Sequence, residues 1–278
     1  MGVVKKYFKE QMQWRNLGLD YTEPPDFYLS AWQKNRSALP LMIFRAILFL
    51  TSLGILLYSI ITYSISGIVG YWFIYLTHWG LTANVLATGF ATAVSTRCYF
   101  YGPISGQYRI PWYLKTYWVL FNVATPVAFL ITIFYWTVLF EAGIEEELNH
   151  ALDVTVHGVN TIVMFLLLMT CSQPNYLLHV YQPLLFALTY FFFSLFYYLA
   201  NGVDQKGNPY IYPVLNWENP GKTVAVGSIT GVLLIALYIV MVSLAAARDA
   251  IAACFTQSSV TVHSREAVPL SEPAQTTV

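Results

Sequence analysis

The sequence predicts an all-α membrane protein, a polytopic bundle of six transmembrane helices with both termini in the cytoplasm. The 278 residues are 57% hydrophobic but only 10% charged, and their mean hydropathy is +0.54. A soluble domain carries about 25% charged residues, whereas several apolar runs here approach the roughly 20 residues that cross a bilayer. The zero net charge argues against a nucleic-acid partner, which would need a basic face.

The apolar windows divide the chain into three parts. Residues 1–38 form a polar and aromatic cytoplasmic segment, residues 39–248 form the transmembrane domain, and residues 249–278 form a polar tail that we expect to be disordered in the cytoplasm. The predicted spans cover residues 41–64, 71–94, 116–139, 152–170, 183–200 and 223–246.

The distribution of Lys and Arg predicts the orientation. The segment before the first span is rich in them: Lys5, Lys6, Lys9, Arg15, Lys34 and Arg36. The opposite face of the predicted bundle carries only Lys206 and Lys222. Because cytoplasmic loops carry the excess of positive charge, both termini are predicted to be cytoplasmic. We expect the plasma membrane, with the endoplasmic reticulum as the alternative.

Two polar clusters inside the predicted spans mark the candidate site. Thr77 and Asn84 lie in the second span, and His157, Asn160 and Thr161 lie in the fourth. Polar side chains at membrane depth are costly unless they are paired or functional. Counting at about 1.5 Å per residue puts Thr77 and His157 roughly 8–9 Å below the same outer boundary, so they could share a site.

This polar pair has two interpretations that the spacing leaves open. In the first, Thr77 is a nucleophile that His157 activates as a general base, and the pair cleaves a lipid ester that enters from the bilayer. In the second, the clusters only tie helices together through hydrogen bonds worth about 0.6 kcal/mol each. Asn84 and Thr161 would then be polar helix contacts.

Other spans carry further candidates for helix contacts. Arg45 lies near the cytoplasmic end of the first span, where its side chain could extend to the interface or to a lipid headgroup. Asn122 lies at similar depth in the third span and could cap the Arg45 side chain with a hydrogen bond. Gly227 and Gly231 form a small-xxx-small step in the sixth span, which would let a neighbouring backbone approach closely.

The tail offers one candidate for a protein partner. The chain ends Thr276-Thr277-Val278, and a hydroxyl residue two positions before a terminal Val can add as a strand to a PDZ domain. The three scattered cysteines form neither a disulfide framework nor a metal motif, so we expect no metal and no cofactor. The expected partners are the lipid bilayer, a PDZ-domain protein and, if the enzymatic interpretation holds, a lipid substrate.

Three stretches of the chain carry a family resemblance. They are the N-terminal LGLDY, PP, FY and SAWQ at 17–21, 24–25, 27–28 and 30–33, then VHGVNT at 156–161, and YIYPVLNW at 210–217. In these stretches the chain is similar to rolling stone-like proteins, which are named for an insect myoblast-fusion factor. The resemblance implies six spans and a role in cell–cell contact or fusion.

A more distant resemblance concerns the polar pair itself. The chain is similar to the androgen-induced family of six-span hydrolases, which cleave fatty-acid esters of hydroxy fatty acids with a threonine and a histidine. Thr77 matches the family's aromatic-Leu-Thr context. The His-Gly-x-His-Thr pattern of the family reads His157-Gly158-Val159-Asn160-Thr161 here, so Asn160 occupies the place of the catalytic histidine.

Asparagine cannot take up a proton at neutral pH, so Asn160 cannot be a general base. The favoured hypothesis is therefore a non-catalytic membrane protein with a role in cell contact or fusion. The alternative is a threonine-dependent lipid esterase that uses Thr77 with His157 as a displaced base. A small transporter is a weaker third hypothesis, because no pair of spans shows broken helices in related halves.

Overall fold

A computed structural model describes the backbone of residues 10–33, 37–104, 109–140 and 148–266, and the side chains up to residue 255. This part of the chain is all-α, as predicted. Its six long helices are α1 Leu39–Ile65, α2 Leu76–Tyr101, α3 Trp112–Leu139, α4 His150–Thr170, α5 Leu177–Leu199 and α6 Pro220–Glu266.

Consecutive long helices run in opposite directions, so the bundle has two distinct ends. The arginine end contains the buried side chains of Arg45 from α1 and Arg248 from α6. The N-terminal segment 10–33 packs on this end, where Phe27 is fully buried against Trp118 of α3. The cavity end lies opposite and contains Thr77 at the start of α2 together with the end of α3. Both the N-terminal segment and Arg248 of α6 therefore lie at the same end of the bundle.

Five helices, α1 and α3 to α6, are long and apolar enough to cross a membrane. The remaining long helix, α2, has 26 residues, which at about 1.5 Å per residue could also cross. It is less apolar because many of its residues are small or polar, and these pack inside the bundle. At Gly80, a Cβ would lie 2.3 Å from Cδ1 of Ile131, so α2 and α3 approach closely where this glycine has no side chain.

The start of α2 differs from the predicted second span, 71–94. Residues Val69–Trp72 form a separate turn of helix, and Tyr75 is extended before α2 begins at Leu76. His78 stabilises this corner, because its Nδ1 donates to the Trp72 carbonyl (2.6 Å) and its ring stacks on the Trp72 ring. The break moves the start of α2 five residues along the chain, from the predicted residue 71 to Leu76.

The end of α6 also differs from the prediction. The helix continues to Glu266, beyond the predicted end of the sixth span at residue 246. The run AAARDAIAA at 245–253 favours the first part of this extension, since alanine has the highest helix propensity. Thr276 and Val278, the proposed PDZ-binding residues, lie outside the described residues.

Candidate functional site

The helices α2 and α4 meet through two buried amides. Asn84 Nδ2 donates to Asn160 Oδ1, and both side chains are at most 1% exposed. Asn84 Oδ1 and Asn160 Nδ2 have no hydrogen-bond partner in the described part of the chain. Asn160, which stands where the hydrolase pattern has its catalytic histidine, is therefore engaged in a helix contact.

Thr77 lies in the wall of a cavity of about 310 Å³ at the cavity end. The cavity is bounded by α3, α5, α6 and the segment 212–215, and its walls are mostly apolar. Thr77 is 9% exposed, and its hydroxyl forms no hydrogen bond to any described residue. The hydroxyl is therefore available to a ligand in the cavity.

His157 belongs to a different cluster, which α3 and α4 build together. Its ring stacks face to face on Tyr135, with centroids 3.4 Å apart, and its Nδ1 donates to the Asp153 carbonyl (3.1 Å). The Tyr135 hydroxyl donates to the buried carboxylate of Asp153. Tyr135 lies in a π-helical turn, Tyr135–Leu139, and His157 in another, Thr155–Val159. Such turns occur frequently at functional sites.

The predicted joint site of Thr77 and His157 is not formed in the described structure. No hydrogen bond joins the Thr77 hydroxyl to His157 or to Asn160. The imidazole is absent from the cavity wall, whereas Tyr135, which stacks on it, is part of that wall. The structure thus separates the threonine from the histidine and places a tyrosine next to both the cavity and the imidazole.

Thr161 connects α4 to α3 through hydrogen-bond contacts, rather than to α2. Its hydroxyl donates to the Ala128 carbonyl (2.8 Å) and contacts the Thr132 hydroxyl at 2.5 Å. Thr132 Oγ1 in turn donates to the His157 carbonyl. These bonds connect the two helices next to the π-turn of α4, so they also hold the backbone that carries His157.

Arg45 is fully buried and does not extend to the membrane interface, as its position in the sequence suggested. Nη1 donates to the carbonyl of Phe27 (2.7 Å) and to the hydroxyl of Ser95 (2.9 Å), and Nη2 donates to the hydroxyl of Tyr117 (3.3 Å). The guanidinium therefore joins the N-terminal segment, α1, α2 and α3. A planar group with five donors suits such a task.

Asn122 is also buried, and its side chain links α3 to α5 instead of capping Arg45. Its Nδ2 donates to Gln182 Oε1 (3.0 Å) and to His179 Nδ1 (3.1 Å). His179 Nε2 donates to the Gly18 carbonyl (3.0 Å), so the network reaches the N-terminal segment.

The two glycines of α6 differ in what surrounds them. A Cβ at Gly227 would lie 2.6 Å from Cε2 of Phe191, so an aromatic ring of α5, rather than a backbone, fills that space. A Cβ at Gly231 would have nothing within 4 Å. Both glycines line the cavity.

The arginine end contains a second buried cation near a thiol. Arg248 Nη1 donates to the Leu168 carbonyl (2.6 Å) and lies 3.0 Å from Cys171 Sγ, while its Nε donates to Asp249 (2.8 Å). Burial raises the pKa of the Cys171 thiol above its usual value, although the charge of Arg248 opposes this. The thiol is therefore protonated at neutral pH.

The sequence interpretation missed the cluster of Tyr135, Asp153 and His157 and the network around His179. Asp153 is the second residue of the predicted fourth span, 152–170, and was not among the candidate residues. A buried acid within a helix of membrane-spanning composition is itself a signal of function. Among the described residues, no group of three His, Cys, Asp or Glu side chains could hold a metal ion.

The lengths and the apolarity of five helices indicate a multi-pass membrane protein. Its buried amides, hydroxyls and charges join the helices to one another. The chain belongs to the rolling stone family, since a family model described as "Protein rolling stone" matches residues 2–270. It is 29% identical over 226 residues to Protein rolling stone of Drosophila melanogaster. The aligned residues cover 78% of this chain and 81% of that protein. No solved structure matches the chain.

Proposed function

We propose that this chain is a six-span plasma-membrane protein with cytoplasmic termini that acts in cell–cell contact or fusion without catalysing a reaction. The observation that carries the non-catalytic part is the bond between Asn84 and Asn160. A hydrolase of the androgen-induced type would need a proton acceptor at the position of Asn160, and a buried amide cannot supply one.

Two features support the proposed topology. The helix α2 is less apolar than the other five, but it is long enough to cross the membrane and so to bring the number of spans to six. The N-terminal segment and the C-terminal half of α6 lie at the same end of the bundle, as an even number of spans requires. The excess of Lys and Arg before α1 then favours the cytoplasm for that end.

The role in contact or fusion derives from the family. Rolling stone-like proteins are named for a myoblast-fusion factor, and this chain belongs to their family. Among the described segments between helices, residues 200–219 form the longest connection that the proposed topology exposes outside the cell. Any adhesive contact would therefore involve this segment or a partner protein.

A lipid esterase is the second candidate, because Thr77 lies in the wall of an apolar cavity with an unpaired hydroxyl. The two candidates differ in a direct assay with the purified full chain. We expect no labelling by a fluorophosphonate probe and no turnover of fatty-acid esters of hydroxy fatty acids. When two cell populations with separate cytoplasmic reporters are mixed, expression of the chain should increase content mixing.

Turnover that Thr77→Ala abolishes would overturn the non-catalytic proposal. Activity that Asn160→His creates, in a chain otherwise inactive, would support it, because the base would have been restored. Content mixing no higher than that of cells without the chain would contradict the role in fusion.

A further inference from the structure

The cavity at the cavity end has the size and composition of a ligand site. Its volume of about 310 Å³ lies at the lower limit of the roughly 300–1,000 Å³ that ligand pockets occupy. The lining includes no Lys, Arg, Asp, Glu or His side chain. A charged headgroup would find no counter-charge there and would pay the cost of desolvation.

The cavity opens between α5 and α6. Leu188 of α5 is 48% exposed and Val224 of α6 is 50% exposed, although both belong to its lining. Gly231 extends the gap, since no atom lies within 4 Å of the position of its Cβ. Both helices have the length and the apolarity of membrane spans. A molecule that enters by this route comes from the hydrocarbon region of the bilayer.

The polar groups of the wall are hydroxyls. Thr77 is more than nine-tenths buried, and Thr230 faces the same cavity from α6; neither hydroxyl has a hydrogen-bond partner among the described residues. An unpaired hydroxyl in an apolar wall costs free energy, which a ligand with one hydroxyl or carbonyl group would recover. The remaining wall would accept an acyl chain.

We infer that this cavity binds one acyl chain of an uncharged membrane lipid, such as a diacylglycerol, with the lipid's hydroxyl or ester group hydrogen-bonded to Thr77. The inference goes beyond the proposed function and requires no reaction. Its failure is distinguishable from a failure of the role in fusion, because it is measured as lipid binding by the purified chain rather than as content mixing.

Photo-crosslinking in nanodiscs tests the inference. The full chain is incubated with a diacylglycerol that carries a diazirine in one acyl chain, and with phosphatidic acid that carries the same chains. We expect saturable labelling by the diacylglycerol, on peptides of α2, α5 or α6 that line the cavity, and several-fold weaker labelling by the charged analogue.

Two variants locate the site. Gly231→Leu fills the opening without meeting any existing atom and should reduce labelling about ten-fold, whereas Thr77→Val removes one hydrogen bond and should reduce it about five-fold. The matched control is Gly54→Leu, because Gly54 is an exposed glycine of α1 whose Cβ would also have nothing within 4 Å. That variant should be labelled like the unmodified chain.

Equal labelling of the Gly231→Leu and Gly54→Leu variants would overturn the inference, as would equal labelling by the two lipids. Because Thr77→Val is nearly isosteric, it keeps the test decisive if Gly231→Leu fails to fold. Unchanged labelling of a folded Thr77→Val variant would remove the threonine from the site and contradict the inference as stated.

Discussion

Replacing Arg45 by alanine is expected to lower the free energy of unfolding by about 3 kcal/mol. The change removes a fully buried side chain that donates to Phe27, Ser95 and Tyr117, which belong to three separate segments of the chain. Polar groups left buried without a partner cost about 1–3 kcal/mol each, and the cavity left by the side chain adds to that cost. The measurement is reversible unfolding of the full chain in detergent micelles.

The matched control is Arg109→Ala. The Arg109 side chain is 75% exposed and only approaches Asp20 at 3.8 Å, so its loss should change stability by less than about 0.5 kcal/mol. Arg45→Lys should fall between the two variants, because an ammonium group cannot reach several partners as a planar guanidinium does. If Arg45→Ala and Arg109→Ala were equally stable, Arg45 would not join these segments.

The second large effect is expected for Tyr135→Phe, which should lower the free energy of unfolding by about 2 kcal/mol. This change keeps the ring that stacks on His157 and removes only the hydroxyl that donates to the buried carboxylate of Asp153. Removing one partner of a buried hydrogen bond costs about 1–3 kcal/mol. The same unfolding measurement applies.

Tyr58→Phe provides the control for this hydroxyl. The Tyr58 side chain is 40% exposed, and its hydroxyl donates to Asn149 at 3.1 Å in a solvent-accessible position. Its removal should cost less than about 0.5 kcal/mol. An equal loss of stability in the two variants would show that the bond to Asp153 has no special strength.

The helices could be predicted from the sequence because a long apolar run determines a membrane-length helix almost independently of its neighbours. The boundaries of the helices were harder to predict. The start of α2 follows a corner at which the rings of Trp72 and His78 stack, a contact that hydropathy does not register. The extension of α6 beyond residue 246 begins with an alanine-rich stretch that favours helix, which the search for apolar spans does not register.

The site could be predicted only in part. Spacing put the polar residues of the second and fourth spans on one face of each helix, and in the structure Asn84 of α2 bonds to Asn160 of α4. Spacing does not reveal which neighbour each face contacts, and the π-turn Thr155–Val159 alters the rotation of residues along α4. His157 therefore faces Tyr135 of α3, while Asn160 faces α2. The burial of Arg45 depends on partners from distant segments, which no local pattern contains.

A double-mutant cycle on Asn84 and Asn160 most directly tests whether the amide at the position of the missing base serves to tie α2 to α4. The free energy of unfolding is measured for the full chain, Asn84→Ala, Asn160→Ala and the double variant. Polar contacts between membrane helices contribute about 0.6 kcal/mol on average and up to about 1.7 kcal/mol, so we predict a favourable coupling within that range. Effects that add within about 0.3 kcal/mol would contradict the proposed helix tie.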